Sequence, residues 1–352
     1  MKILYIYQFL SYGGVEMLLR NRAKYLKELD SDLEINLLVM KSSVTEIPSE
    51  FDNVYISKNK KEIKNLIESH DLIVNVDTPE LFNIIEKSSK PLVLECFSSA
   101  KASRKYLKSN LPSNLRLVIV PSKTFKKIVE EEISNKQVPI EVIYNIIDRK
   151  TANDRQIDIN LREIRPILWV GRLEESKGWR DALEIIRLFK EINISSNFEL
   201  FIIGEVTDKY DKHIFEIMDD SGVLGDVRYI PKVDFKNMNE IYSLVAKNKG
   251  IFLSTSKMET FGLSVLEAMS NGLPCVLNNL EIFKELYDKA SYLYKDEKDA
   301  SEYINKILTD DALYGSLQEE AIERSKEFGQ EKIIPVLYEL YKDILVDEKS
   351  NQ

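Results

Sequence analysis

The chain has 352 residues, a formal net charge of −9, 44% hydrophobic and 30% charged residues. That length suits two domains, and the composition is globular, which excludes wholesale disorder and collagen-like or coiled-coil fibres. With two cysteines and two histidines, a disulfide framework, a zinc site, a His-rich metal centre and most Ser-His-Asp schemes have little to be built from.

The N-terminal MKILYIYQFLSYGG carries one lysine and a short apolar run but no small-residue cleavage site, so it reads as a buried first strand rather than a signal peptide. Stretches such as LEINLLVM and RPILWVG fall far short of a membrane span. Strand candidates in the first half are KILYIY, LEINLLVM, NVYI, DLIVNV, PLVLEC, RLVIVP and EVIYN, with amphipathic segments such as VEMLLRNRAKYLKEL and SKTFKKIVEEEI between them. Ile, Val and Leu runs with little alternation predict strands covered on both faces, and strand–helix repetition predicts a parallel sheet between helices. DRKTANDRQIDINLREIR, from Asp148 to Arg165, is polar and charged and reads as a linker.

The second half restarts with PILWVG, FELFIIG, VRYIP, GIFLS, LPCVLN and ASYLY, and with helices at WRDALEIIRLFKEI, KYDKHIFEIMDD, NMNEIYSLVAK and LSVLEAMSNG. It ends in three helical stretches, the last QEKIIPVLYELYKDIL. The expectation is an α/β protein of two doubly wound, Rossmann-like domains facing a central cleft. The domains are residues 1–148 and 166–328, joined by a linker at 149–165, and the final helix within 329–352 packs back on the first. Ligands of such sheets bind at the carboxyl ends of the strands. Cys96 and Cys275 lie in or beside apolar runs and suit a reduced, cytoplasmic interior.

From Met1 to Asp148 there are 21 basic and 20 acidic residues; the remainder holds 28 and 38. Cys96 to Val129 contains no acid and holds Lys101, Arg104, Lys105, Lys108, Arg116, Lys123, Lys126 and Lys127. Such a stretch attracts an anion or an anionic membrane surface; residue by residue, the plainer reading is two solvated helix faces. The acidic balance argues against nucleic acid as a partner.

Three segments carry chemistry. Gly13-Gly14 follows the first strand and precedes a helix, a turn that suits either a phosphate at the helix start or an ordinary tight connection. The G-x-G-x-x-G and G-x-x-x-x-G-K-[ST] patterns are absent, which counts against a simple dehydrogenase or ATPase. In WVGRLEESKGW the strand ends at Gly171, and Arg172 and Lys177 follow on one loop. A guanidinium fork and a point charge there can both reach a diphosphate, or form a solvated pair. In SKMETFGLSVLEAMSNGLPCV, Glu259 lies on the loop after GIFLS, Thr260-Phe261-Gly262-Leu263 opens a helix, and Glu267 is expected about a turn and a half inside it. An anionic group could bind the free amides there while each carboxylate accepts hydrogen bonds from sugar hydroxyls. An acid favoured by the helix dipole is the alternative. It fits Glu259 better than Glu267, whose apolar surroundings demand a partner or a cation.

Gly13-Gly14 with Val15-Glu16, PSK at Pro121 to Lys123, VIYNIID ending at Asp148, GRL with Lys177-Gly178, and the E-x7-E pair Glu259 and Glu267 together resemble the retaining glycosyltransferases of family 4. The resemblance spans nearly the whole chain. It implies the B-type glycosyltransferase fold and a cytoplasmic enzyme, without metal or cofactor. Such an enzyme moves a sugar from a nucleotide-diphosphate donor, a UDP-sugar by default, to an acceptor hydroxyl in cell-surface glycan or glycolipid assembly. A glycan, glycolipid or phosphorylated acceptor would be its partner, met at the inner membrane surface where it is lipid-linked. The resemblance implies that Arg172 and Lys177 bind the donor diphosphate, Glu267 the ribose and Glu259 the transferred sugar; Arg172, Lys177 and Glu259 form the catalytic set. Backbone amides of Phe261 to Leu263 would touch sugar and phosphate, and Pro231, Lys232 and Val233 would flank the base. Gly13, Gly14, Gly171, Gly204, Thr260 and Gly262 complete the implied binding set.

Two positions depart from the family pattern. Phe97 stands where a sugar-contacting His is common, so that either the donor sugar is unusual, Glu95, Ser98 or Ser99 substitutes, or activity is reduced. Ile146 stands where a Gly is common and alters the hinge turn. A sugar-nucleotide epimerase and a non-catalytic sugar-nucleotide-binding protein on the same fold remain open as rivals.

Overall fold

A computed structural model of the chain describes residues 1–10, 13–43, 47–148, 164–193, 197–206 and 213–350. Two units emerge: Met1–Ile146 with Phe328–Gln352, and Ile147–Glu327. The linker expected at 149–165 lies outside the described residues as far as 163, and Arg165, counted with it, opens a strand.

The first unit runs β1 (Lys2–Leu10), α1 (Gly14–Leu29), β2 (Glu34–Ser42), β3 (Asn53–Ile56), α2 (Lys60–Glu68), β4 (Leu72–Val76), α3 (Phe82–Glu86), β5 (Leu92–Glu95), β6 (Leu115–Val120), α4 (Lys123–Glu132) and β7 (Ile140–Val142). The apolar runs form this sheet because both its faces are covered: every residue of β4 and β5 is buried. The order is β3-β2-β1-β4-β5-β6-β7 and all pairings are parallel, so the winding direction reverses between β1 and β4. Ser122 caps α4, its hydroxyl accepting from the Phe125 amide at 3.1 Å. The two helix faces expected from the acid-free stretch are a correction. Lys123–Lys127 does lie on α4, but Lys101–Lys108 is a run of turns ending in a short 3-10 segment, Lys105–Lys108.

The second unit runs β8 (Arg165–Val170), α5 (Trp179–Ile192), β9 (Phe198–Ile203), α6 (Ile214–Asp220), β10 (Val227–Ile230), α7 (Phe235–Lys247), β11 (Ile251–Ser254), α8 (Leu263–Ser270), β12 (Cys275–Asn278), α9 (Glu281–Tyr287), β13 (Ser291–Tyr294), α10 (Glu297–Thr309) and α11 (Asp311–Ser325). The helix expected at KYDKHIFEIMDD is described only from Ile214, since residues 207–212 are not. The sheet order β10-β9-β8-β11-β12-β13 is again all parallel, with its reversal between β8 and β11. Trp169, Trp179, Ile186, Phe189 and Leu253 are among the residues of this core.

The last helix, α12 (Gln330–Ser350), returns to the first unit. Ile334, Leu337 and Tyr341 join that core, and the Tyr341 hydroxyl lies 3.0 Å from the Tyr5 hydroxyl of β1. Tyr338 donates to Asp30 at 2.6 Å. Among the described residues no helix is long and apolar enough to cross a membrane.

Candidate active site

An open parallel sheet exposes a crevice where strand order reverses, because the loops leaving the two central strands turn to opposite faces. In the second unit those loops follow β8 and β11, and they carry Arg172, Lys177 and Glu259. Lys177 Nζ donates to Glu259 Oε1 at 2.5 Å, across 82 residues of sequence. Ser256 Oγ donates to the same oxygen at 2.9 Å. The other oxygen, Oε2, has no partner among the described residues. Arg172 is 63% exposed and leans on Glu174 at 3.1 Å.

The backbone of this corner is tightly determined. Gly178 caps α5 in the left-handed region, φ +63°, and a Cβ there would stand 2.3 Å from the Thr255 carbonyl oxygen. Thr255 Oγ1 accepts from the Trp169 indole at 2.9 Å and donates to the Gly178 carbonyl at 2.7 Å. The Lys257 amide donates to the Ser176 carbonyl at 2.9 Å. The loops after β8 and β11 are thus stitched into one surface.

Gly262, at φ +86°, caps α8, and a Cβ on it would meet the Phe283 ring at 2.7 Å. The Val265 and Leu266 amides of α8 donate to the Gly262 carbonyl at 3.1 and 3.2 Å, and the Leu263 and Ser264 amides before them have no acceptor among the described residues. Glu267 is the fifth residue of α8, little more than one turn in rather than a turn and a half. Tyr242 of α7 donates to its Oε2 at 2.9 Å, and Oε1 has no partner among the described residues. Burial pushes the Glu267 carboxyl up to about 7, against the opposing pull of the Tyr242 hydrogen bond. Both carboxylates of the E-x7-E pair therefore have one oxygen fixed by the protein and one left over.

Gly171 and Gly204 directly follow β8 and β9, and Tyr229 donates to the Gly204 carbonyl at 3.2 Å. Pro231, Lys232 and Val233 leave β10 at the same sheet edge, with Lys232 Nζ 3.3 Å from Glu205. Thr260 and Phe261 are buried, 9% and 1% exposed.

The first-unit residues fare differently. Gly13 caps α1 and Gly14 begins it, at the reversal point of that sheet. Glu95 is a correction: it presents nothing to a ligand. Fully buried, it accepts from Arg22 at 2.6 Å and from Tyr341 at 3.1 Å. Burial raises its carboxyl and the Arg22 guanidinium opposes the rise. Phe97 is also buried, under the Arg22 guanidinium at 5.6 Å from its ring centroid. Ser98 stays partly exposed, its amide held by Asp77 at 2.9 Å.

Sequence reasoning missed Tyr242, Ser256 and Asp77. Nothing in NMNEIYSLVAK distinguishes Tyr242 from an ordinary core aromatic. Asp77 had a signal in its place just beyond β4, at the carboxyl edge; its backbone sits at φ +40°.

The family model described as glycosyl transferases group 1 matches residues 151–328, half of the chain. The chain belongs to that family. This group 1 glycosyl transferase is 26% identical over 171 residues to sucrose-phosphate synthase 1 of Arabidopsis thaliana, covering 47% of the chain and 15% of that relative. It spans only about that small fraction of the curated relatives that head the comparison. An uncharacterized glycosyltransferase of Methanocaldococcus jannaschii is 23% identical over 363 residues, 94% of this chain and 95% of that one. Among solved structures, Anabaena HepE in complex with UDP and glucose superimposes with a TM-score of 0.81 at 18% identity, covering 97% of this chain and 100% of that one. At that identity the likeness is one of fold: two parallel-sheet α/β domains of the B-type glycosyltransferase kind.

Proposed function

We propose that this glycosyl transferase is a retaining, metal-independent enzyme of family 4. It moves a sugar from a UDP-sugar to the hydroxyl of a glycan, glycolipid or phosphorylated acceptor in cell-surface glycan assembly. The observation that carries the reading is the Lys177–Glu259 pair at 2.5 Å, seated where strand order reverses. That pair lies beside the start of α8, whose Leu263 and Ser264 amides are open to an anion. HepE, of the same fold, was solved with UDP and glucose.

In this reading Arg172 and Lys177 hold the diphosphate, with the first-turn amides of α8. Glu267 Oε1 takes the ribose hydroxyls, Glu259 Oε2 takes a hydroxyl of the transferred sugar, and Pro231 to Val233 flank the base. The acceptor oxygen bonds to the anomeric carbon from the leaving-group face as the bond to phosphate breaks. The electron pair goes to the diphosphate, and a phosphate oxygen takes the acceptor's proton. Fixed cations and amides stabilise the charge that grows on the diphosphate, without reorganising at the moment of reaction.

Calorimetry with UDP on wild type, Arg172→Ala and Lys177→Ala tests the assignment, together with release of glucose from UDP-glucose. Each substitution should weaken binding and slow release by roughly 2–4 kcal/mol. Wild-type behaviour of both variants would overturn it. Conversion of UDP-glucose to an epimer would replace transfer with epimerisation.

A further inference from the structure

The acid-free stretch of the first unit gains a definite shape in the fold. β5 and β6 are neighbouring parallel strands, so the segments that leave them emerge at one edge of the sheet, the carboxyl edge. Lys101, Lys105 and Lys108 follow β5; Lys126 and Lys127 are the fourth and fifth residues of the ten-residue α4, after β6. Arg104 locks the two segments together. Only 4% exposed, it grips Glu132 of α4 at 2.8 and 3.0 Å, caps the Ser98 and Ser99 carbonyls at 2.8 and 2.6 Å, and lies over the Phe125 ring at 5.1 Å. The Ser134 amide donates to the Leu107 carbonyl at 2.8 Å. The surface cluster is therefore smaller than the sequence suggested, because Arg104 faces inward, but it is rigidly mounted.

What remains is a set of lysines engaged in no ion pair among the described residues. Lys101, Lys105, Lys108, Lys126 and Lys127 have no ion-pair or hydrogen-bond partner among the described residues. Elsewhere on this chain of net charge −9 lysines pair readily, as Lys2 does with Glu34, Lys27 with Asp52, Lys190 with Asp226 and Lys249 with Asp311. Of the acids that end α4, Glu132 is taken by Arg104, which leaves the exposed Glu130 and Glu131 as two carboxylates against five lysines. Ile128, beside Lys127, is 38% exposed.

We infer that this face docks on a membrane surface rich in acidic phospholipid headgroups. A nucleic-acid surface would call for guanidinium forks and stacking rings. The arginines of the stretch are engaged, Arg104 with Glu132 and Arg116 with Glu348, and its aromatics Phe97, Tyr106 and Phe125 are buried. Separate lysine point charges on flexible stems, with an exposed isoleucine, suit a diffuse sheet of negative charge. The inference is independent of the reaction proposed above and needs no donor or acceptor to test it.

The experiment is flotation of the full chain with vesicles of equal parts phosphatidylglycerol and phosphatidylcholine, beside vesicles of phosphatidylcholine alone. Wild type should float with the acidic vesicles only, and should be released at high salt, as the screening length falls from about 10 Å at 0.1 M to about 3 Å at 1 M. The triple variant Lys101→Glu, Lys105→Glu, Lys108→Glu should lose at least about tenfold in bound fraction. The same reversal at the paired surface lysine Lys284→Glu should not, and unchanged circular dichroism and melting should show that the triple variant is folded. Absence of flotation with acidic vesicles at low salt, equal flotation of the triple variant, or tighter retention by single-stranded RNA than by the vesicles would each overturn the inference.

Discussion

Replacing Glu267 by Gln should stabilise the second unit while weakening nucleotide binding. The side chain keeps its shape, and the amide oxygen still accepts from the Tyr242 hydroxyl, 2.9 Å away in the wild type. What disappears is a charge in a partly buried site. Burial raises the Glu267 carboxyl from 4.5 to about 7, so between those values the folded state binds more protons than the unfolded one. Stability of the wild type must then fall as pH rises through that window, and the full penalty is in place above it. A displacement of that size is equivalent to about 3 kcal/mol, or about 2 kcal/mol once solvent reaching the carboxylate is allowed for. The chain offers a clean probe: its two tryptophans, Trp169 and Trp179, both lie in the core of the second unit. Urea unfolding followed by tryptophan fluorescence should give matching midpoints for wild type and Glu267→Gln near pH 4.5, the carboxyl's ordinary value. The variant should be ahead by about 2 kcal/mol near pH 8. UDP affinity at the higher pH should move the other way, down by roughly 1.5–3 kcal/mol for one lost charge-assisted bond. Midpoints that move in parallel across the window would refute the burial argument. A stabilised variant with unchanged UDP affinity would refute the ribose role alone.

Glu259→Gln should leave UDP affinity near wild type and reduce turnover of UDP-glucose, because its open oxygen is assigned to the sugar; equal loss of UDP affinity in both glutamine variants would contradict that division. Gly178→Ala forces a Cβ into the left-handed region 2.3 Å from the Thr255 carbonyl, and should lower the tryptophan-reported stability by roughly 1–3 kcal/mol. In the first unit Glu95→Gln leaves the fully buried Arg22 without its counter-ion and should cost roughly 3–5 kcal/mol. Tyr341→Phe removes only hydroxyl contacts there and should cost about 1 kcal/mol; both are read by amide exchange in β1 and β5.

Much of the architecture was legible because the signals are local. Runs such as LIVNV and FELFII declare strands covered on both faces, and their alternation with amphipathic segments declares parallel sheets. Helices α2 and α3 were passed over, the second because FNIIE is too short to show a period. The glycine-bearing loop of Lys177 and the helix opened by Gly262 could be placed at strand ends from sequence alone. Pairing across the sheet could not, since it depends on strand order. Lys177 meets Glu259 only because β8 and β11 lie side by side. The partner that a buried Glu267 required was foreseeable as a need, but its identity, Tyr242, was set by the packing of α7 against α8. Glu95 and Arg104 look from sequence like groups offered to a ligand or to solvent. Tyr341 reaches Glu95 from 246 residues away, and Glu132 takes Arg104 from the neighbouring helix. Periodicity reports which face of an element is covered; which charge meets which is decided by elements distant in the chain, where a buried ion is tolerated only against a partner that the fold delivers.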